Sequence, residues 1–507
     1  MGLYDITIQD VVRKNAIFRV DEVALVCENK RWTFSQYAQE VDRLASGLTS
    51  LGVEKGDRIG VVASNCHEYF ILFGVAARLG AIMLPINWRL KPEEVQVILE
   101  DCTPKVLVAS PEYAEMVESL ADRSIFVSHR LVMGENKVNS LRPICEIAAL
   151  ASNFKEVEVT QQDPFVIIYT AAVEGRPRGV VLTHGNLMAS SFQAIAIMGI
   201  NAGAVYLNLT PLFHVGGLVI SNYVIHAGGR NVILKKFDAR EALYLIREEQ
   251  VTIILTYPPM TSMLLDQAEA SGQELSSLQV VLGIENPETI QRLQQVTGAK
   301  FWVGYGQTET TAWCTLCPYN ESPSSSGKET PLSRISLVDE YDREVSSGQP
   351  GEIVVRGPLV FQKYWNLDKD TSYVFREGWH HTGDVGLIDE KGYLWYQKRK
   401  SEKELIKPGG ENVYPAEVEK VLLEHPDVLE TCVFGVPDKQ WGEAIKAVCV
   451  CKSNSTLEPQ ELIEFVAFHI ARYKKPKYMV FVEALPKTKD GMIDREKVKA
   501  EHSKVSI

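Results

Sequence analysis

The stretch DRIGVVASNCHEYFILFGVAARLGAIMLPIN, residues 57–87, decides the fold class. DRIGVVAS is a short apolar run and predicts a buried strand. HEYFILFGVAARLG is long enough for a helix and ends on a glycine, a common helix stop. AIMLPIN predicts the next strand. Strands alternating with helices imply βαβ units and a largely parallel sheet. The same stretch holds the most apolar run of the chain, ILFGVAARLGAIMLP. Arg78 interrupts it and Pro85 closes it. It is too short and too mixed to span a bilayer, so a buried helix turning into a strand is the reading, with no membrane span.

The alternation extends in both directions. Apolar residues recur at helical spacing over residues 32–51, and Gly52 follows. PEEVQVILEDC predicts a helix and KVLVAS a strand. FVIIYT predicts a strand, and THGNLMASSFQAIAI a helix capped by Thr183. VYLNLTPLF, NVILKK, VTIILTYPP, LQVVLGI and KFWVGYG predict further strands. From about residue 332 the texture changes. SRISLVDE, GEIVVRG and GYLWYQK predict strands with little helix, a small antiparallel or barrel-like part. QKRKSEKELIK, residues 397–407, is the strongest charge run and reads either as a solvated turn or as a linker. Beyond it, two helices and three strands suffice for a separate α+β domain. The expected organisation is an α/β N-terminal domain over residues 1–402, built of βαβ subdomains plus the barrel-like part, and a small α+β domain over residues 403–507.

The totals agree. A chain of 507 residues exceeds one hydrophobic core. A hydrophobic content of 45% with 23% charged residues is that of a globular protein. The net charge of -12 argues against a nucleic-acid binder. Nine cysteines, with no apolar leader in MGLYDITIQD, predict reduced thiols and a cytoplasmic setting.

Candidate chemistry begins with YTAAVEGRPRG, residues 169–179. It follows a predicted strand and precedes a predicted helix, where backbone N–H groups cradle phosphates. Gly175 and Gly179 permit close approach and Arg178 supplies a cation; taken alone, the stretch reads more readily as a Gly/Pro turn between strand and helix. VGYGQTET, residues 303–310, adds an aromatic able to stack on a purine and a carboxylate able to hold Mg²⁺. GWHHTGD, residues 378–384, ends in an aspartate placed to accept from paired hydroxyls. ELIKPGGENVYPAEVE, residues 404–419, carries a Gly-Gly turn before a helix.

YGQTE, HTGD, the Gly-Gly-Glu-Asn-Val-Tyr-Pro run and PLFHVGG occur in the order found in the adenylate-forming superfamily. The chain resembles its acyl-CoA synthetases over essentially its whole length. The resemblance implies a C-terminal lid that rotates between two half-reactions, acyl-AMP formation from a carboxylic acid and ATP, then attack by coenzyme A. It implies that Glu309 holds Mg²⁺ and Thr308 contacts phosphate. Tyr305 would stack on adenine beside Gly283, Ile284 and Glu285, with Thr170, Gly306 and Gln307 around the nucleotide. Asp384 and Arg399 would bind the ribose hydroxyls. His214 would stand beside the acyl carboxylate and the thiol entry. Gly409, Gly410 and Glu411 would line the coenzyme A path, where Lys474 and Lys475 could meet its phosphates. Glu404 would be the hinge residue. His380 and His381 read as structural.

Three departures stand out. Ala171, Ala172, Val173 and Glu174 replace the family's Ser-Gly-Thr-Thr, and Arg178 replaces a lysine. Two like charges about 4 Å apart cost about 4 kcal/mol at an effective dielectric near 20, so Glu174 must turn away from polyphosphate, pair with an arginine or hold a cation. Met492 stands where the family has the lysine that serves adenylation, and loss of such a donor costs about 10²–10³ in rate. Lys487 or Lys489 would have to substitute for it. The hinge run is two residues longer than the family pattern. Cys314 and Cys317 have metal-like spacing without a second pair, and read as packing thiols.

The reading is therefore an ATP-dependent carboxylic acid–CoA ligase for an apolar fatty or aromatic acid, with adenylation impaired at Met492. The acyl pocket is expected between the His214 helix, TYPPM and the strand ending at Tyr305, with Trp302, Trp313 and Met260 beside it. The rivals are a non-catalytic nucleotide or acyl-adenylate binder, and an adenylation module serving a carrier protein. Assembly as a homodimer stays open.

Overall fold

The computed structural model describes residues 5–150, 156–170, 177–400, 404–453 and 455–503. The stretch that decides the class folds as read. Strand Arg58–Val62 leads into helix His67–Leu79, which Gly80 ends in the left-handed conformation, and strand Ile82–Ile86 returns parallel to the first. Ten of the helix's thirteen residues are buried, so it is apolar all round because it is covered all round.

These strands lie in an eight-stranded sheet in the order Lys363–Tyr364, Arg178–Thr183, Pro164–Thr170, Ile82–Ile86, Arg58–Val62, Val106–Ala109, His129–Val132, Arg142–Pro143. Its centre is parallel and its Arg178–Thr183 edge antiparallel. A nine-stranded sheet runs Lys328–Glu329, Thr315–Pro318, Lys300–Val303, Val280–Gly283, Ile253–Thr256, Val205–Asn208, Arg230–Ile233, Val23–Cys27, Lys30–Thr33. Helices His184–Met198 and Val215–Ala227 pack against each other beside it. Thr183 caps the first, its Oγ1 accepting from Asn186 N at 3.1 Å.

The residues after 332 form a five-stranded antiparallel sheet, Arg334–Val338, Gly351–Arg356, Trp379–Ile388, Phe375–Arg376 and Leu394–Arg399. GWHHTGD, whose secondary structure its sequence left unassigned, opens the central ten-residue strand. The C-terminal part has three strands, Val428–Asp438, Gly442–Cys451 and Tyr478–Phe481, and its own buried cluster around Ile406, Val413, Val433 and Leu462. A third helix, Arg495–His502, joins the two expected. No described helix is long and apolar enough to cross a membrane.

One expectation is corrected. The strands on either side of residues 171–176 pair antiparallel, with Tyr169 opposite Gly179 and Thr170 opposite Arg178. The helix comes only after the second strand. RGVVLT is rich in β-branched residues and pairs back on its neighbour before any helix can start. Among the described residues, strand Arg178–Thr183 and not a helix follows the stretch. Ala171, Ala172, Val173, Glu174 and Gly175 themselves lie outside the described residues.

Candidate active site

Strands deliver the site residues to one cavity of about 1040 Å³ between the large part and the C-terminal part. The strand ends at Val303, Gly283 and Thr256 share an edge of the nine-stranded sheet, as expected where ligands meet parallel strands. Thr170, Arg178, His214, Gly283, Ile284, Glu285, Tyr305, Gly306, Gln307, Thr308, Glu309, Asp384, Arg399, Gly409, Gly410 and Glu411 all line the cavity. The approach at Gly306 requires glycine, since a Cβ would stand 1.3 Å from Ala312 O.

One end of the cavity centres on Asp384, which is 1% exposed. Its Oδ2 accepts from Tyr305 OH at 2.6 Å and from Gln307 Nε2 at 2.9 Å. Its Oδ1 faces Arg399 Nε at 3.1 Å but makes no aligned hydrogen bond, so one buried acceptor is left open. Register sets this pair, because Asp384 and Arg399 sit opposite each other on adjacent strands. The longer hinge run therefore does not displace Arg399. Burial would lower the Arg399 pKa, but Asp384 and the neighbouring tyrosines raise it, so it stays charged. His380 Nε2 lies 3.1 Å from Gln307 Oε1, which orients the glutamine. His381 faces Glu352 at 3.2 Å and is buried.

Tyr305 is buried with its hydroxyl committed to Asp384. Its ring stacks on Tyr396 at 6.2 Å, and Tyr396 lines the cavity too. Ile284 is 54% exposed at the wall, an apolar side chain with nothing covering it. Burial raises the Glu285 carboxyl pKa, offset in part by the Asn286 N–H and Thr261.

Glu309 Oε1 accepts from Tyr364 OH at 2.8 Å. Its second oxygen has no hydrogen-bond partner among the described residues, so a hard oxygen ligand is available at the cavity wall. Arg178 lies 4.7 Å over the Tyr364 ring and 3.5 Å from Asp370. Burial would depress its pKa, but Tyr364 and Glu309 raise it. Thr308 begins a short turn over Thr308–Thr310.

The other end of the cavity is built from both parts. His214 precedes helix Val215–Ala227, and its Nε2 lies 3.2 Å from Glu411 Oε2. Arg89 NH1 reaches Glu411 Oε1 at 3.1 Å. Burial would raise the Glu411 pKa, but His214 and Arg89 lower it. Gly409 and Gly410 have φ of +59° and +87°. A Cβ at Gly410 would come within 3.2 Å of the Tyr257 ring. In the expected acyl region Met260, Tyr257 and Trp313 line the cavity, while Trp302 lies in the buried cluster behind.

Several expected residues stand elsewhere. Lys474 is buried and does not line the cavity. Its ammonium meets Glu94 Oε1 at 2.6 Å and Glu417 Oε2 at 2.5 Å. A buried ammonium needs carboxylates, and here they come from the protein. Lys475 pairs with Glu464 at 2.6 Å. Neither lysine is presented to a phosphate in this arrangement. Met492 is 68% exposed and outside the cavity. Lys487 is held by Glu430 at 2.7 Å. Glu404 is clamped by Arg495 at 3.2 Å and Lys499 at 2.7 Å. Cys314 is a buried packing thiol, its Sγ 3.4 Å from Tyr305 O, with a pKa raised by burial to about 12.

Arg89, Tyr396, Trp441, Glu443 and Lys407 line the cavity without having been singled out as site residues. Lys407 is exposed to solvent at the cavity wall, with protein crowded about it. That enclosure, with Arg399 close by, lowers its pKa to about 8. Its position in the charge run was visible, but its aim was not.

Residues 12–365 match the family model described as AMP-binding enzyme, and residues 417–491 match its C-terminal domain. The chain is 33% identical over 479 residues to an indoleacetate–CoA ligase of Aromatoleum aromaticum, covering 92% of each. It is 31% identical over 481 residues to a long-chain-fatty-acid–CoA ligase of Mycobacterium tuberculosis, covering 93% of each. Its fold superimposes with a TM-score of 0.85 on a double mutant of o-succinylbenzoate CoA synthetase from Bacillus subtilis bound to a product analogue. That match is 26% identical and covers 97% of this chain and 98% of the other. The chain belongs to the AMP-binding enzyme family, among the adenylate-forming acyl- and aryl-CoA ligases.

Proposed function

We propose that the protein is an ATP-dependent carboxylic acid–CoA ligase for an apolar acid. It would form acyl-AMP with release of pyrophosphate, then the acyl thioester with release of AMP. The observation that carries this is the continuity of one cavity from Asp384, Arg399 and Glu309 to His214, Gly409 and Gly410. A nucleotide end and a thiol end are what a two-step acyl transfer needs.

The residues divide the work. The open Oδ1 of Asp384 and the Arg399 guanidinium suit the paired hydroxyls of ribose. Tyr305, Tyr396 and Ile284 supply flat and apolar surface for a purine. Arg178 and Thr308 face the phosphates as cation and hydroxyl donor, stabilising charge that grows on the phosphate oxygens during transfer. Glu309 would hold Mg²⁺, which supplies charge neutralisation on those oxygens when bound. His214 would orient the acyl carboxylate, with Glu411 and Arg89 fixing its ring. The coenzyme A arm would pass the Gly409 and Gly410 turn, where the absence of side chains leaves room.

The lid orientation fits the thioester step, because Gly409–Glu411 are at the cavity and Met492 is away from it. Glu404 would be the hinge residue; it is clamped within the C-terminal part, while Lys400 is bonded to Glu352 of the large part at 2.8 Å. Adenylation needs another orientation, in which Met492 brings no cation.

The test is AMP and pyrophosphate formation from ATP with a panel of aliphatic and aromatic acids, with and without coenzyme A. It is run on the natural chain and on Met492→Lys. The expected result is acid-dependent AMP release, with adenylation raised about 10²–10³ by the lysine and thioester formation from supplied acyl-AMP little changed. Silence of both proteins on every acid while nucleotide still binds would leave a non-catalytic binder instead.

A further inference from the structure

Helix Pro92–Cys102 carries a carboxylate in its last turn, at Asp101. The free carbonyls of a helix end already gather negative charge there, so the helix itself gives no reason for an acid. No cation lies within ion-pair distance of Asp101 among the described residues. Its partners are hydrogen-bond donors from two distant parts of the chain. Tyr169 OH donates to Asp101 Oδ2 at 2.5 Å. Asn366 Nδ2 donates to Asp101 O at 2.9 Å and lies 3.3 Å from Oδ1. Trp365 Nε1 donates to the same carbonyl at 3.2 Å. Asn366 has a φ of +52°, a conformation that asparagine enters more readily than most residues, and these bonds hold it there.

Both partners lead to the same stretch of cavity wall. Tyr169 is followed by Thr170, which pairs with Arg178 across the two strands. Trp365 N donates to Gly179 O at 2.7 Å, and Tyr364 pairs with Val180. Tyr364 in turn donates to Glu309 Oε1 at 2.8 Å, and its ring lies 4.7 Å from the Arg178 guanidinium. Thr170, Arg178 and Glu309 line the cavity, whereas Asp101, Tyr169 and Tyr364 stand behind it.

We infer that Asp101 is a positioning residue for the polyphosphate of ATP. It acts through Tyr169 on Thr170, and through the Tyr364–Asn366 segment on Arg178 and Glu309. The inference rests on the acid–CoA ligase reading, in which Arg178 and Glu309 serve the phosphates. Groups fixed in advance stabilise growing charge without reorganising, so loosening them weakens the contact with phosphate. Asp384 and Arg399 do not depend on Asp101, because strand register sets them. Its loss therefore falls on the polyphosphate and spares the nucleoside.

The experiment compares the natural chain with Asp101→Ala, Asp101→Asn, Tyr169→Phe and the double Asp101→Ala/Tyr169→Phe variant. It measures the dissociation constants of ATP and of AMP, which lacks the β- and γ-phosphates, by equilibrium dialysis. Asp101→Ala is expected to weaken ATP about tenfold and AMP less than about twofold. Asp101→Asn keeps an acceptor for Tyr169 and should keep most of the ATP affinity. Tyr169→Phe removes the same bond from its other side, so it should weaken ATP in the natural chain and add nothing to Asp101→Ala. Unchanged ATP binding, or equal losses for ATP and AMP, would overturn the role. Should Asp101→Ala fail to fold, Tyr169→Phe decides by the same split. If the split appears but no acid yields acyl-AMP or thioester, the positioning role stands and the ligase reading falls. If an acid is activated while the variants bind ATP normally, the ligase reading stands and this role falls.

Discussion

Asp384 shows how one residue gathers a site. It is an ordinary aspartate in sequence, yet Tyr305, Gln307 and Arg399 converge on it from three places in the chain. Lys407 is the counterexample, a residue in a charge run that ends inside the cavity. Its pKa, near 8 rather than 10.5, gives a pH prediction. Below about pH 8 it is charged and adds to the positive field facing the nucleotide. Above pH 8 it is neutral and that contribution is gone. KM for ATP is expected to rise as pH passes from 7 to 9, and Lys407→Met should flatten that rise. An identical profile in the variant would show that some other group titrates.

At the scale of elements, the strand Trp379–Ile388 carries Asp384, the proposed ribose contact, and is tied down by a buried ion cluster. Glu352, 6% exposed on the adjacent strand, accepts from His381, Lys400 and the Gly383 N–H. Burial alone would raise its pKa, but those partners bring it from 4.5 to about 2. A depressed carboxyl contributes stability that is present above its unfolded pKa. That contribution is lost as pH falls from about 4.5 towards 2, and its size is about 3 kcal/mol. The unfolding midpoint in urea should therefore fall steeply over that window in the natural chain, and less so in Glu352→Gln. Asp342, Glu352 and His381 are close enough to hold a metal, but Arg376 and Lys400 already compensate the two carboxylates. The cluster is better understood as the footing of the strand.

At the scale of the whole molecule, the two parts are latched by charges buried between them. Glu94 stands in the first turn of helix Pro92–Cys102, where its Oε2 accepts from Lys91 N and from Ala471 N of the C-terminal part. Its Oε1 meets Lys474, which also holds Glu417. The two possible deletions are unequal. Lys474→Met leaves two carboxylates facing each other, a loss of about 3–5 kcal/mol for this arrangement. Glu94→Gln leaves Lys474 still paired with Glu417 and should cost less. If the latch holds the thioester orientation, Glu94→Gln will slow thioester formation from supplied acyl-AMP several-fold, with ATP–pyrophosphate exchange spared. Equal slowing of both half-reactions would mean that Glu94 only supports the fold.

Much of this protein is determined by local sequence. Residues 57–87 specify strand, helix and strand because short apolar runs, a longer helical stretch and a terminal glycine act over a few residues. The motifs around Tyr305, Asp384, His214 and Gly409 are local in the same sense, and all of them reach one cavity. What the sequence alone did not determine are the matters of pairing. RGVVLT forms a hairpin strand ahead of the helix because a neighbouring strand is there to pair with. Lys474 turned from a ligand candidate into a latch because two distant carboxylates enclose it. Lys407 and Lys236 both reach the cavity wall, Lys236 against a pair of rings. A charge's partner is whichever group the folded chain brings within a few ångströms, and only the tertiary structure decides that.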